Sequence, residues 1–357
     1  MTVPLDIIKP AVRALRAYTL SPHRASVKIN QNENPWDAPL EIKDEVLRRF
    51  AARQWSRYPD FVPVTLQEQL ARFAEWKADG VLVGNGSNEL IQALLMVTVG
   101  PCKRVLISEP TFALYRQVAT VLGGEVESVR LTPQLTYDAP ALLRTIKEQQ
   151  PDVTIICSPN NPTGCVIETA DLRRLLEATR GLVVIDEAYH EFARQSVVPL
   201  LNTYENLVVL RTFSKAMAFA ALRIGYLLAA PELVQEIRKA LLPYNLNAFS
   251  QLAAEVALER YPTLLGPTVN AIIEERERLY QEIRNIEGLQ PQKSQGNFMV
   301  VKRNTDKRQI FEELLKRDIL VRDVSGYPML SEYFRFNVGT PEENDRLLSA
   351  LNEIQNQ

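Results

Sequence analysis

Short apolar runs alternate with segments of helical period between about residues 80 and 240. "VLVGN", "RVLISEP", "VTIICSPNN", "LVVIDEAY", "LVVLRTFS" and "RIGYLLAA" are brief, β-rich and mostly apolar throughout. Such runs suit strands buried on both faces of a mainly parallel sheet. "NELIQALLMVTV" follows the first run, "TFALYRQVATVLGG" the second, and "ETADLRRLLEATR" precedes the fourth. Their periodicity predicts helices, with Gly123-Gly124 as one helix stop. This alternation predicts an α/β unit with helices on both faces of the sheet. After Pro243 the pattern changes. "AFSQLAAEVALER" and the long, charged "TLLGPTVNAIIEERERLYQEIRNIEG" predict helices. "NFMVVK", "ILVRDV" and "YFRFNVG" predict strands, with further helices at about 305–317 and 341–355. These elements describe a smaller α+β unit, against which the N-terminal segment is expected to pack. The expected division is a large unit over 46–245 and a small discontinuous one over 1–45 and 246–357.

A length of 357 residues accommodates those two units. Lys plus Arg number 41 and Asp plus Glu 43, a balance without the basic excess of a nucleic-acid-binding protein. Three cysteines fit neither a disulfide scaffold nor a zinc pattern, and two histidines exclude a histidine-rich metal site. The first residues carry early charges and no apolar core, so no signal peptide is expected. No uncharged apolar run approaches the roughly 18 residues of a membrane span. The expected setting is a reducing cytoplasm, with no metal, membrane or nucleic-acid partner.

In α/β sheets ligands bind beyond the carboxyl ends of the strands. The first strand ends in "GNGSNE", Gly84 to Glu89, where small residues let backbone N–H groups approach an anion at a helix start. Taken alone, this reads first as an ordinary glycine turn with Ser87 or Asn88 as a cap. "SPNNPTG", Ser158 to Gly164, forms a rigid turn that points amide side chains outward. Asp186 closes the apolar run "LVVI", where a carboxylate must pair with a cation or lose its charge. For an isolated Asp, a helix cap or a structural ion pair is the favoured reading. Lys215, in "TFSKAMAFAALRIG", is either a carbonyl nucleophile or a lysine reaching out to water, and Arg223 is either an anion ligand or a surface ion pair. Together they meet the needs of one cofactor. An acid for a pyridine nitrogen, a lysine for a Schiff base, and an arginine with a helix start for a phosphate suit pyridoxal 5′-phosphate.

In this order the motifs "SPNNPTG", "DEAY" and "TFSKAMAFAALRIG" resemble the fold-type I pyridoxal-phosphate aminotransferases. "NQNENPW", "RYPD" and "VRDVSGYPMLSEYFRFNVG" narrow the resemblance to the histidinol-phosphate aminotransferase branch, from residue 27 to near residue 345. The resemblance implies a large domain with a mainly parallel sheet flanked by helices, plus a smaller α+β domain. It implies transamination between L-histidinol phosphate and 2-oxoglutarate in histidine biosynthesis, by a homodimer with shared active sites. Aromatic amino-acid aminotransferases, and decarboxylases of the threonine-phosphate type, share the same residue set and remain alternatives. Residue by residue, Lys215 is implied as the Schiff-base lysine, Asp186 as partner of the pyridinium nitrogen, and Asn161 and Tyr189 as partners of the 3′-oxygen. Gly86, Ser87, Asn88, Thr212, Ser214 and Arg223 are implied at the cofactor phosphate, with Tyr58 reaching it from the neighbouring subunit. Phe112 is implied to stack on the ring, where many relatives carry tyrosine. Arg335 is implied to grip the substrate carboxylate, Arg322 the phosphate of histidinol phosphate, and Asn34 to sit at the substrate entrance.

Overall fold

The computed structural model describes residues 4–17, 22–303 and 307–355. Its centre is a seven-stranded sheet. From one edge the strands are Val81–Gly84, Gly225–Leu228, Leu207–Thr212, Leu182–Asp186, Val153–Cys157, Arg104–Glu109 and Glu125–Arg130. The last five run parallel to one another. Gly225–Leu228 is antiparallel to both its neighbours. Val81–Gly84 therefore points the same way as the parallel strands, and the start of the reversed strand joins their carboxyl ends at one rim.

The apolar runs have a direct physical reason. Val209 and Ile185 enter one core, while Val208 and Val184 on the same strands enter another on the opposite face. With both faces covered, a strand shows no alternation. Helices Ser87–Thr98, Leu114–Leu122, Ala139–Gln149 and Thr169–Ala178 lie between these strands along the chain. Two elements escaped the hydrophobic pattern. Strand Glu125–Arg130 is an edge strand with mostly exposed side chains, so "EVESVR" offers no apolar run. Helix Ala139–Gln149 starts on a cap, in which Asp138 accepts from the Ala141 N–H at 2.9 Å.

A four-stranded antiparallel sheet lies in the C-terminal part, ordered Arg322–Asp323, Tyr333–Asn337, Phe298–Arg303 and Leu289–Pro291. The segment "ILVRDV", expected as one strand, is divided. Ile319–Leu320 pairs in parallel with Val27–Lys28, whereas Arg322–Asp323 joins the four-stranded sheet. That pairing ties the N-terminal segment to the C-terminal part. The helix expected at about 305–317 spans Lys307–Lys316, and positions 305 and 306 lie outside the described residues. The boundary expected at 45/46 falls inside helix Leu40–Ala51. Its Ile42 and Val46 share one core with Leu252, Ala253 and Val256 of helix Ala248–Arg260 and with Val81 and Val83 of the large sheet. The first turn of the long C-terminal helix begins at Gly266, after a wide turn over Tyr261–Leu265 that contains Pro262. A third core gathers Val27 and Ile29 with Phe298 and Phe336, and also takes in Ala188, Tyr189 and Ala216 from the rim of the large sheet.

Candidate active site

Asp186 is the last residue of its strand and only 3% exposed. Its Oδ2 accepts from the Tyr115 hydroxyl at 2.6 Å and its Oδ1 from the Ala188 N–H at 3.1 Å. Burial pushes the carboxyl pKa up, and these two donors pull it back toward the ionised form.

Lys215 follows the adjacent strand, Leu207–Thr212. It is half-buried, and its Nζ donates to the Gln31 carbonyl at 3.2 Å and sits 5.9 Å from the centre of the Tyr189 ring. Burial, reinforced by the positive charges of Arg335 and Arg223, lowers the amine to about 8, while Glu33 opposes the shift. Asn34, expected at the substrate entrance, donates its side-chain amide to the carbonyls of Lys215 and Ala216 at 3.3 and 3.2 Å. It fixes the backbone of the lysine loop. The buried Tyr189 hydroxyl accepts from Asn32 Nδ2 at 3.0 Å, and burial raises its pKa.

Beside these lies a polar cradle built from the reversed strand. Register sets Gly225 opposite both Gly84 and Thr212. A Cβ on Gly225 would stand 2.3 Å from the Ser87 amide nitrogen, so only glycine lets the strand pass the start of helix Ser87–Thr98. Gly86 precedes that helix with φ +80°, and a Cβ there would meet the Arg223 guanidinium at 2.4 Å. Arg223 Nη1 donates to Ser214 Oγ and to the Ala220 carbonyl, both at 3.1 Å. Thr212 Oγ1 donates to Ser214 Oγ at 3.0 Å. Gly86, Ser87, Thr212, Ser214 and Arg223 thus converge, and Asn88 stands exposed on the first turn of the helix. Backbone donors, hydroxyls and a guanidinium at a helix start form a setting for an anion.

Arg335 reaches the same rim from the four-stranded sheet. Its Nη1 donates to Asn161 Oδ1 at 2.5 Å, its Nη2 to the Asn30 carbonyl at 2.9 Å, and its guanidinium lies 5.5 Å from the Phe298 ring centre. The preceding Asn160 is wholly engaged by the turn, bonding Thr111, the Pro110 carbonyl and Thr163. Arg322 is the cross-strand neighbour of Arg335. It lines a cleft of about 500 Å³ together with Phe112, Tyr327 and the N-terminal Arg16. Phe112 packs edge-on against Tyr115 at 5.6 Å. Tyr58 is the one expected residue not brought to this rim within the chain. It is 79% exposed and stacks on Tyr244 at 4.4 Å.

Sequence reasoning missed Tyr115, Asn32 and the Gln31 carbonyl. Tyr115 sits on the buried face of an amphipathic helix, where nothing in its spacing separates it from a core residue. The Gln31 contact spans 184 positions and rests on a backbone oxygen, which carries no residue signature. Among the described residues, no group of three or more His, Cys, Asp or Glu is placed to hold a metal ion, and no helix is long and apolar enough to cross a membrane.

Residues 25–351 match the family Aminotransferase class I and II. The histidinol-phosphate aminotransferase of Chlorobium phaeobacteroides is 42% identical over 97% of this chain and 96% of its own length. The crystal structure of the histidinol-phosphate aminotransferase from Clostridium acetobutylicum superposes with a TM-score of 0.85 at 26% identity, over 92% of this chain and 99% of that one. That of Sinorhizobium meliloti, in complex with pyridoxal-5′-phosphate, gives a TM-score of 0.87 at 24% identity over 97% of each chain. The chain belongs to the class I and II aminotransferase family.

Proposed function

We propose that this chain transfers the amino group of L-histidinol phosphate to 2-oxoglutarate, with pyridoxal 5′-phosphate as cofactor, in histidine biosynthesis. The observation that carries the reading is the convergence at one sheet rim of a lowered amine, Lys215, a buried carboxyl, Asp186, and the Arg223 cradle. The relative from Chlorobium phaeobacteroides, named for this activity, is similar over nearly its whole length.

The residues present fit the cofactor. Asp186 offers an acid partner where a cationic ring nitrogen needs one. Gly86 leaves room that a side chain would fill, next to the Arg223 guanidinium. Bound pyridoxal phosphate supplies an electron sink for the charge left when substrate Cα loses its proton. Asp186 would pair with the ring nitrogen, Asn161 and Tyr189 would take the 3′-oxygen, and Phe112 would pack against the ring. Gly86, Ser87, Asn88, Thr212, Ser214 and Arg223 hold the phosphate. Lys215 would hold the cofactor through its amine, and the same nitrogen would serve the substrate as general base and then general acid. Asn34 holds the backbone of Lys215 while it does so. Arg335 moves from Asn161 to the substrate carboxylate, and Arg322 takes the phosphate of histidinol phosphate.

The same reading includes a homodimer in which Tyr58 contacts the cofactor phosphate of the other subunit. It is supported by the exposure of Trp55 and of the aromatic cluster of Tyr58, Phe61 and Tyr244. A cytoplasmic location agrees with three free cysteines.

Purified protein should turn over histidinol phosphate with 2-oxoglutarate more efficiently than phenylalanine or tyrosine, and release no carbon dioxide. Lys215→Ala should abolish turnover and the covalent retention of cofactor after borohydride treatment. Arg335→Ala should lower kcat/KM for both histidinol phosphate and glutamate by about ten- to a hundredfold, the worth of a charged hydrogen bond. Carbon dioxide release in place of amino transfer would replace this reading with the decarboxylase.

A further inference from the structure

We propose that Tyr115 is a positioning residue for Asp186. Its hydroxyl holds one carboxylate oxygen, so that the group stays ionised and presents a fixed acceptor to the cationic ring nitrogen of the cofactor. The inference rests on the pyridoxal-phosphate reading above.

Tyr115 is fully buried, on helix Leu114–Leu122, and its ring is fixed from the side by Phe112. Its hydroxyl donates to Asp186 Oδ2 at 2.6 Å, the length of a charge-assisted O–H···O bond. Burial raises the tyrosine pKa well above its ordinary value, so at working pH this hydroxyl is always a donor. Asp186 Oδ1 takes the Ala188 N–H. A carboxylate has about four acceptor positions, so these two donors leave room for a third. The other titratable groups around Asp186 are Tyr137, Cys157, Glu187, Tyr189 and Lys215. Of these, Glu187 opposes ionisation of Asp186, and Lys215 favours it only while charged. In a site this dry an unassisted carboxyl takes up a proton. Tyr115 and one backbone N–H are the permanent donors against that outcome.

Tyr115→Phe removes a single oxygen. The cofactor dissociation constant of wild type and variant is measured by absorbance titration between pH 6 and 9. The expected result is affinity about tenfold weaker at the acid end of the range, because without the Tyr115 donor the Asp186 pKa is higher and the proton must leave before binding. The deficit shrinks toward pH 9, as ionised Asp186 gains ground in both proteins. In an Asp186→Asn background, Tyr115→Phe should have no further effect. A loss that is equal at every pH, or one that persists beside Asp186→Asn, overturns the role. Infrared difference spectra of cofactor-free wild type against Asp186→Asn give a check that does not depend on the Phe variant folding. An ionised carboxylate band at pH 7 supports the proposal, and a carboxylic-acid band overturns it. Wild type that takes up no pyridoxal phosphate sinks the cofactor reading and this inference together. Wild type that binds, with Tyr115→Phe binding equally well throughout, overturns the role of Tyr115 alone.

Discussion

Burial pushes the Lys215 amine and the Asp186 carboxyl toward their neutral forms, and the outcome differs because their neighbours differ. Around Lys215 the charges of Arg335 and Arg223 add to the effect of burial. Around Asp186, Tyr115 and the Ala188 N–H resist it. The sign for Lys215 favours nucleophilic capture, since only the neutral amine attacks a carbonyl. With the amine at about 8, about a quarter of the molecules are reactive at pH 7.5, against roughly one in a thousand at the ordinary value. The rate at which cofactor-free protein captures pyridoxal, followed by stopped-flow absorbance, should climb with pH and level off above about 8. Arg335→Ala removes a positive neighbour and should move that inflection upward. A wild-type profile still climbing past the ordinary lysine range contradicts the assignment. The residue types were legible in the sequence because Lys, Asp and Arg each stand where an apolar run stops. Their supports were not legible. Asn32 and the Gln31 carbonyl meet the site through long-range pairings, of Val27–Lys28 with Ile319–Leu320 and of Asn32 with Asn297 and Asn337.

At the scale of elements, the segment after Asp186 is anchored to the neighbouring strand by a buried ion pair. Arg211 Nε donates to Glu187 Oε2 at 2.9 Å and its Nη2 to Ser196 Oγ at 2.6 Å. The Val197 N–H donates to Glu187 Oε1 at 2.6 Å. Arg211→Ala would leave Glu187 buried without its cation. It should cost about 3–5 kcal/mol in denaturant unfolding of the cofactor-free protein. Arg211→Met combined with Glu187→Leu removes both charges and should recover more than half of that loss. A cost for Arg211→Ala below about 1 kcal/mol contradicts the view that this pair anchors the segment. The hydrophobic pattern showed the parallel strands because both their faces are covered. It missed Glu125–Arg130, where one edge and most side chains face solvent. It joined Ile319–Leu320 to Arg322–Asp323 because a change of sheet at Val321 leaves no mark on apolar spacing.

At the scale of the molecule, the site expected from the sequence lies on one rim except for Tyr58. That exception carries the dimer reading. Tyr58 and Tyr244 stack in the open, with Phe61 edge-on to Tyr244. Sedimentation should give twice the mass of the 357-residue chain. Trp55→Glu should release monomers with little activity, whereas Tyr58→Phe should stay dimeric and hold the cofactor about tenfold more weakly. A wild-type monomer with full activity contradicts the shared site. The rim itself was readable from the motif order. The passage of helices Leu40–Ala51 and Ala248–Arg260 into the core of the large sheet was not, because amphipathic faces do not name their partners.

The most direct test of the central claim is a product assay on the cofactor-loaded protein with histidinol phosphate and 2-oxoglutarate. Glutamate should form in step with the loss of histidinol phosphate, and Lys215→Ala should form none. An active Lys215→Ala protein, or wild type that yields no glutamate from histidinol phosphate, would contradict the account.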